Sequence, residues 1–348
     1  MIKSLKELSL QVSEKEYREH YALSYSTIAS YEKEGFSSIP HLFDKKESEA
    51  LLFGSMVDTL ITEGMDMFNS KFAIADFEIP TEAIKNIVDA FIESYPDCTL
   101  NDEDSNVLIL NVCNKFEYQT RWKDDTRISK VRELGSDYFE AMHNVGDRTI
   151  VSNDLYQEVL ATVSALKSSP QTAKYLRIPE SDSSVEALYQ TKFVTVLDGL
   201  DVKCMFDLIL VNHARKLIIP VDLKTSSMME YDFPKKYLEN RYDLQSRLYC
   251  RILKNIISND DYFKDFTITD FRFMVINKNN RVPLLFMDEY SRIEGDIEIQ
   301  YKSGSKKILR DPVVIAKELK RYLTESPLVP EGINILGINS IQERLQLL

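Results

Sequence analysis

The sequence predicts an α+β protein, and three observations predict it. Up to about residue 180, apolar side chains recur at helical spacing; residues 185–225 then alternate at strand spacing around two tight turns; and a helical stretch separates that meander from two further strand-like runs. A length of 348 residues suits one large domain or two smaller ones. With 44% hydrophobic and 28% charged residues, a disordered or collagen-like chain is excluded. No apolar run approaches the roughly 18 residues that cross a bilayer. The best stretch, 51–61, is short and holds Gly54 and Asp58, and the first residues, Met1 to Glu7, carry no apolar leader. A cytoplasmic protein without a membrane partner is expected.

The elements follow in order. Residues 1–70 read as an N-terminal helical part. Pro80-Thr81-Glu82 then opens a helix at an N-cap, Ile84, Ile87, Val88 and Phe91 form its core stripe, and Tyr95-Pro96 ends it. After a polar stretch at 97–105, Ile128, Val131, Leu134 and Tyr138 repeat the pattern. So do Tyr156, Val159, Leu160, Val163 and Leu166, with cap candidates at 152–154. These helices make residues 71–180 a helical lobe inserted before the core, 181–290. Within the core, Phe193-Val194-Thr195-Val196-Leu197 leads into Asp198-Gly199, a strong hairpin signal, and then the run 200–211. A second turn leads into 216–225, giving three antiparallel strands. A long helix is expected from Pro234, with Leu238, Leu244, Leu248, Ile252 and Ile256 on its apolar side, followed by strands at 267–276 and 283–287. Residues 291–348 are a C-terminal extension.

Four cysteines, Cys98, Cys113, Cys204 and Cys250, lie far apart with no Cys-x-x-Cys pair, which points to free thiols rather than a zinc ribbon or disulfide framework. The formal net charge of −12 argues at first against a polyanionic partner, because nucleic-acid binding draws on Lys and Arg to neutralise phosphates.

The segment Val221-Asp222-Leu223-Lys224-Thr225 carries chemistry. On a strand, Asp222 and Lys224 project from one face about 7 Å apart. Closing the second hairpin with the turn 213–216 puts Asp207 directly across from Asp222, with Cβ atoms about 5 Å apart. Two carboxylates so close repel by roughly 4 kcal/mol at an effective dielectric near 20, a cost that a divalent cation would reverse. Such a pair with a lysine suits metal-assisted phosphodiester hydrolysis; the alternative is two like charges on a solvated sheet face. Around Asp198-Gly199 the register sets Gln190 opposite Asp207. Glu186 is on the same face but about 13 Å further along, either a site residue or a strand-end carboxylate. Arg241, Gln245 and Tyr249 fall at i, i+4 and i+8 of the following helix, a stripe that either meets a phosphate or forms a helix edge.

Taken together, Asp207, Asp222-x-Lys224 and Gln245-x-x-x-Tyr249 resemble the PD-(D/E)xK nuclease superfamily, in the RecB-like and RecE-like branch that includes exodeoxyribonuclease VIII and lambda exonuclease. Residues 186–249 carry the resemblance closely. Tyr21-Ala22-Leu23-Ser24-Tyr25-Ser26-Thr27-Ile28 and Phe53-Gly54-Ser55-Met56-Val57-Asp58 resemble that branch's N-terminal motifs more loosely, and the chain looks most like RecE-like nucleases of bacteriophages. The resemblance implies a restriction-endonuclease-like mixed sheet flanked by helices, and a phage-type exonuclease that resects double-stranded DNA ends for recombination. Asp207, Asp222 and the Leu223 carbonyl would hold Mg²⁺ or Mn²⁺, Lys224 would orient the water, Gln245 and Tyr249 would position the site, and Glu186 would match the upstream glutamate. Many members have histidine where this chain has Asp58, which is either an oxygen ligand or a polar helix residue. The cysteine spacing fits no iron-sulfur cluster. Family partners implied are DNA, a single-strand annealing protein and a homo-oligomeric ring. The charge objection weakens, since several acids would be ligands while Lys203, Lys235, Lys236, Arg241 and Arg247 lie in or beside the motif. Arg121 and Trp122, in Tyr118-Gln119-Thr120-Arg121-Trp122-Lys123, are candidates for stacking on an unpaired base, or else a helix end with the indole in the core.

Overall fold

The computed structural model describes residues 2–44, 48–177, 184–301 and 303–325. Lys302, residues 178–180 of the expected lobe and residues 326–348 of the expected extension lie outside the described residues. The chain divides into two compact units, one made of residues 1–63 and 162–348, the other of residues 64–161. The inserted unit thus starts before the expected lobe, at 64 rather than 71, and ends before it, at 161 rather than 180.

The first unit begins with a 3-10 turn, Leu5–Leu8, followed by α1 (Glu14–Glu19), α2 (Tyr25–Glu34) and α3 (Glu49–Thr62). The side chains of Ser13, Ser24 and Ser48 cap these three helices by accepting a backbone N–H of the first turn.

The second unit holds α4 (Gly64–Lys71), β1 (Phe72–Ala75), α5 (Glu82–Ser94), α6 (Asn106–Lys115), α7 (Asp124–Val145), β2 (Thr149–Ser152) and the start of α8 (Asn153–Ser168). Ile84, Ile87, Val88 and Phe91 of α5 are buried as their spacing predicts, and pack with Ile128, Val131 and Tyr138 of α7. Leu134 does not join them and stands 45% exposed. Gly135 takes the inner position, where a Cβ would lie 2.8 Å from Val88 Cγ2, so the two helices approach more closely than leucine allows. β1 and β2 pair in parallel, a contact distant in sequence that the pattern did not reveal.

Past α9 (Ala173–Leu176), a six-stranded mixed sheet forms the centre of the first unit. Its strands are β3 (Val185–Leu197), β4 (Leu200–Asn212), β5 (Leu217–Ser226), β6 (Thr267–Ile268), β7 (Phe271–Asn277) and β8 (Pro283–Asp288), ordered β3-β4-β5-β7-β8, with β6 also paired to β5. Between β5 and β7 run α10 (Phe233–Asn240) and α11 (Tyr242–Ser258), a crossover that lets those strands run parallel. Helices α3 and α11 pack on the sheet. Where one long helix was expected, the chain breaks at Arg241, whose backbone is left-handed (φ 56°, ψ 43°). The expected strand 267–276 is likewise split into β6 and β7.

Both hairpin registers are as read from the turns. Leu197 opposes Leu200 across Asp198 and Gly199, which take the positive φ that this two-residue turn requires, and Asn212 opposes Leu217 across the 213–216 turn. Two further strands, β9 (Ile297–Gln300) and β10 (Lys306–Leu309), form a hairpin, and α12 (Pro312–Glu325) buries Val313, Ile315, Ala316, Leu319 and Leu323 in the same core as the sheet. Helix α12 therefore packs into the core of this unit. The outer edge of β3 is met by the N-terminal segment, where Leu10 N–H donates to the Lys192 carbonyl at 2.8 Å. Among the described residues no helix is long and apolar enough to cross a membrane.

Candidate functional site

Register brings the acids of the sheet together. The β4–β5 ladder is paired as far as Leu208 and Val221, and the next positions on each strand are Asp207 and Asp222. Asp207 Oδ2 accepts from the Leu223 N–H at 2.7 Å. Lys224, two residues along from Asp222, places its Nζ 2.7 Å from Asp222 Oδ2 and 5.0 Å from the centre of the Tyr242 ring. On the helical side, Gln245 Nε2 donates to Asp222 Oδ1 at 2.6 Å.

Helix α3 brings a third carboxylate. A Cβ on Gly54 would lie 3.1 Å from Thr225 Oγ1, so the bare backbone of this glycine lets α3 lie close against β5. Asp58 follows one turn later on the same helix face. Burial, then the Asp222 charge, push Asp58 up to about 7. Burial, then Asp222 and Asp58, push Asp207 well above the usual carboxylate range. These mutual effects show that the three carboxylates share one field. Burial draws the Lys224 ammonium down, but Asp222, Tyr242 and Asp207 together outweigh it and the net direction is upward.

Gln190, opposite Asp207 on the neighbouring strand, was visible from register but not recognised as a site residue. Its backbone has φ +48°, and it and Asp207 form the one gap between paired positions of β3 and β4. Its Nε2 donates to Asp58 Oδ2 at 2.8 Å and to Thr62 Oγ1 at 3.2 Å. Tyr242 was likewise not foreseen, because its contact with Lys224 depends on the helix break at Arg241.

Other expected residues are placed elsewhere. Glu186 is held by the Ser4 hydroxyl, by the Leu5 N–H at 3.2 Å and by His213 Nε2 at 3.5 Å, so it pins the N-terminal turn to β3 and is not gathered with the acids. Tyr249 is buried, with its ring 5.0 Å from Phe206 and 6.1 Å from Phe271. Arg241 leaves the expected stripe: its guanidinium is buried against Asp243 at 2.9 Å and Glu32 at 2.5 Å. Arg247 is fully buried, donating to the carbonyls of Ile293 at 3.1 Å and Arg310 at 3.2 Å, with Asp311 at 3.4 Å. Lys203 donates to the carbonyls of Tyr17 at 2.8 Å, Arg18 at 3.1 Å and His20 at 2.6 Å, which close the C-terminal end of α1. All three are structural cations, because the chain's own carboxylates and carbonyls satisfy them. Lys235 is exposed beside Glu239, and Lys236 is half-buried. In the second unit Arg121 is exposed, and Trp122 is 41% exposed with its indole edge-on to Tyr118, not tucked into the core.

Asp58 Oδ1 is buried yet accepts no hydrogen bond, and Asp222 Oδ2 meets the Lys224 ammonium at 2.7 Å. Oxygen atoms of this kind suit a hard cation, which takes carboxylates and carbonyls. In the present arrangement, among the described residues, no three His, Cys, Asp or Glu side chains are close enough together to hold a metal. The Asp207, Asp222 and Asp58 set therefore fits the group in donor chemistry, and full coordination requires the side chains to draw in.

No family model and no curated protein matches the chain. Among solved structures the chain is similar to a protein of Eubacterium rectale called "Putative exonuclease", at 12% identity over 81% of this chain and 80% of that one, with a TM-score of 0.41. A likeness this distant assigns no residue.

Proposed function

We propose that the protein is a metal-dependent deoxyribonuclease that hydrolyses phosphodiester bonds at the Asp58, Asp207, Asp222 and Lys224 cluster. The observation that carries this reading is the gathering of buried Asp222, half-buried Asp58 and Asp207, and the Lys224 ammonium from α3, β4 and β5, with Asp58 Oδ1 accepting no hydrogen bond. Isolated carboxylates are seldom buried so close to one another, because each raises the cost of ionising the next. The reading gives that cost a purpose: Asp207, Asp222 and the Leu223 carbonyl, with Asp58, would hold Mg²⁺ or Mn²⁺. When bound, such an ion lowers the pKa of a water and polarises a phosphate oxygen.

The chain's own residues would do the rest. Lys224 presents a cation on the strand face beside Asp222, suited to orienting a water and offsetting charge on a phosphate. Gln245 fixes the Asp222 carboxylate by its amide. Tyr249 supports this helix from within the core rather than reaching substrate. The finer reading is an exonuclease that resects double-stranded DNA ends for recombination, as the RecE-like resemblance implies. On the same resemblance rest a phage origin, an annealing-protein partner and a ring of copies.

A second reading is a DNA-binding module on the same fold that does not cleave. It is favoured by one observation: Gln245 and Lys224 already lie against both oxygens of Asp222.

The test is a time course on end-labelled linear duplex and covalently closed circles, with Mg²⁺, Mn²⁺ or EDTA, using wild type and Asp222→Asn. Loss of linear DNA alone, abolished by EDTA and by the substitution, is the expected result, and the label gives the polarity. Cleavage of circles would make the protein an endonuclease. DNA binding without cleavage would establish the second reading.

A further inference from the structure

We propose that Gln190 is a positioning residue for the carboxylate cluster, holding Asp58 from the wall of an adjoining cleft so that the three acids accept a divalent cation. The inference rests on the metal-centre reading above and extends it to a residue that no motif singles out. Its first support is the backbone. A non-glycine residue at φ +48° is strained, and such a conformation persists when surrounding contacts over-determine it. Pairing of β3 with β4 resumes on both sides of Gln190 in the same register, so no inserted residue accounts for the distortion.

The second support is what the turned-out side chain does. Its single amide nitrogen donates to both Asp58 Oδ2 and Thr62 Oγ1, one helical turn apart on α3. This leaves Asp58 Oδ1 buried and accepting no hydrogen bond, with its lone pairs available to a ligand. A carboxylate fixed through one oxygen and open at the other is the arrangement expected of a metal ligand with an outer hydrogen-bond partner.

The third support is location. Gln190 lines a cleft of about 620 Å³ together with Lys6, Glu16, Thr62, Glu63 and Lys192, whose walls carry polar groups and charges of both signs. The residue therefore stands between this cleft and the acids, able to orient Asp58 without itself lying among them.

The test separates side chain from backbone. Gln190→Asn and Gln190→Gly both tolerate a positive φ, but asparagine is one methylene shorter and glycine has no amide side chain. Mn²⁺ is titrated calorimetrically into wild type, both variants and Asp222→Asn without DNA, and thermal midpoints are recorded in EDTA. The expected result is Mn²⁺ affinity about 10- to 100-fold weaker in both Gln190 variants, with EDTA midpoints no lower than wild type. Loss of Mn²⁺ binding in Asp222→Asn with wild-type affinity in both Gln190 variants would overturn the inference while leaving the metal centre standing. Absence of Mn²⁺ binding by wild type, or equal binding by Asp222→Asn, would overturn both.

Discussion

Gln245 donates its amide to Asp222 at 2.6 Å, joining the helix after the meander to the strand that bears two of the charged groups. The same side chain leaves its Oε1 buried without a partner. Gln245→Leu therefore removes one charge-assisted bond and one unsatisfied oxygen together. A bond of that kind contributes about 1.5–3 kcal/mol. If the nuclease reading holds, cleavage should fall roughly 10- to 100-fold while stability stays within about 1 kcal/mol of wild type. Steady-state cleavage rates beside urea denaturation check both halves.

Gly54 sets how near α3 comes to β5. Gly54→Val adds a branched side chain where even a Cβ would meet Thr225 Oγ1 at 3.1 Å. The variant should lose about 1–3 kcal/mol through overpacking. Because Asp58 is carried on the same helix, the rise in thermal midpoint produced by Mn²⁺ in wild type should also shrink. A Gly54→Val protein with wild-type stability and an unchanged Mn²⁺ response would show that α3 has slack at this point.

Arg247 and Lys235 were both expected to meet DNA, and the fold gives them opposite fates. Arg247→Met should destabilise the protein by about 2–4 kcal/mol, since the Ile293 and Arg310 carbonyls would lose their donor and Asp243 and Asp311 would be left to Arg241 and Arg251 alone. Lys235→Ala, on an exposed side chain, should change stability by less than about 0.5 kcal/mol. Urea midpoints of the two variants, measured side by side, decide the matter.

Asp288 links stability to pH. Burial pushes its carboxyl up from 3.8 to about 6, although Ser246, Tyr237 and the Tyr290 N–H favour the ionised form. The native state therefore keeps a proton that the unfolded chain has already released. Its contribution is fully present below about pH 4 and is lost as pH rises through 6, a difference of about 3 kcal/mol. Asp288→Asn should remove that slope and gain on wild type between pH 5 and pH 8, as read from urea denaturation at each pH.

The strand registers were legible because they are local problems. A two-residue Asp-Gly turn and a four-residue turn fix which residues oppose which, and a slip by one would turn every apolar side chain to the wrong face. Asp207 and Asp222 therefore came together on paper as they do in the fold. The contribution of Asp58 was only half legible, since it depends on how α3 docks, and only the spacing from Gly54 hinted at a close approach. Gln190 and Arg241 were harder. Neither residue type favours a left-handed backbone, and each is held there by partners remote in sequence: Asp58 and Thr62 for one, Glu32 for the other. Basic residues in a motif were read as ligand contacts because sequence shows charge but not burial, and Arg247 and Lys203 are consumed by the chain's own carbonyls.

The bond from Leu10 to the Lys192 carbonyl has a consequence for solution behaviour. β3 ends its sheet, and a terminal strand offers a row of unmatched amides and carbonyls to any other extended chain. Residues 4–10 meet that row at two points, Ser4 at the Glu186 side chain and Leu10 at the Lys192 carbonyl. A protein shortened to begin at Ser13 should lose stability with the buried Leu5 and acquire sheet-to-sheet adhesiveness, visible as concentration-dependent growth in light scattering. Residues 4–10 would thus serve as a guard against unwanted polymerisation.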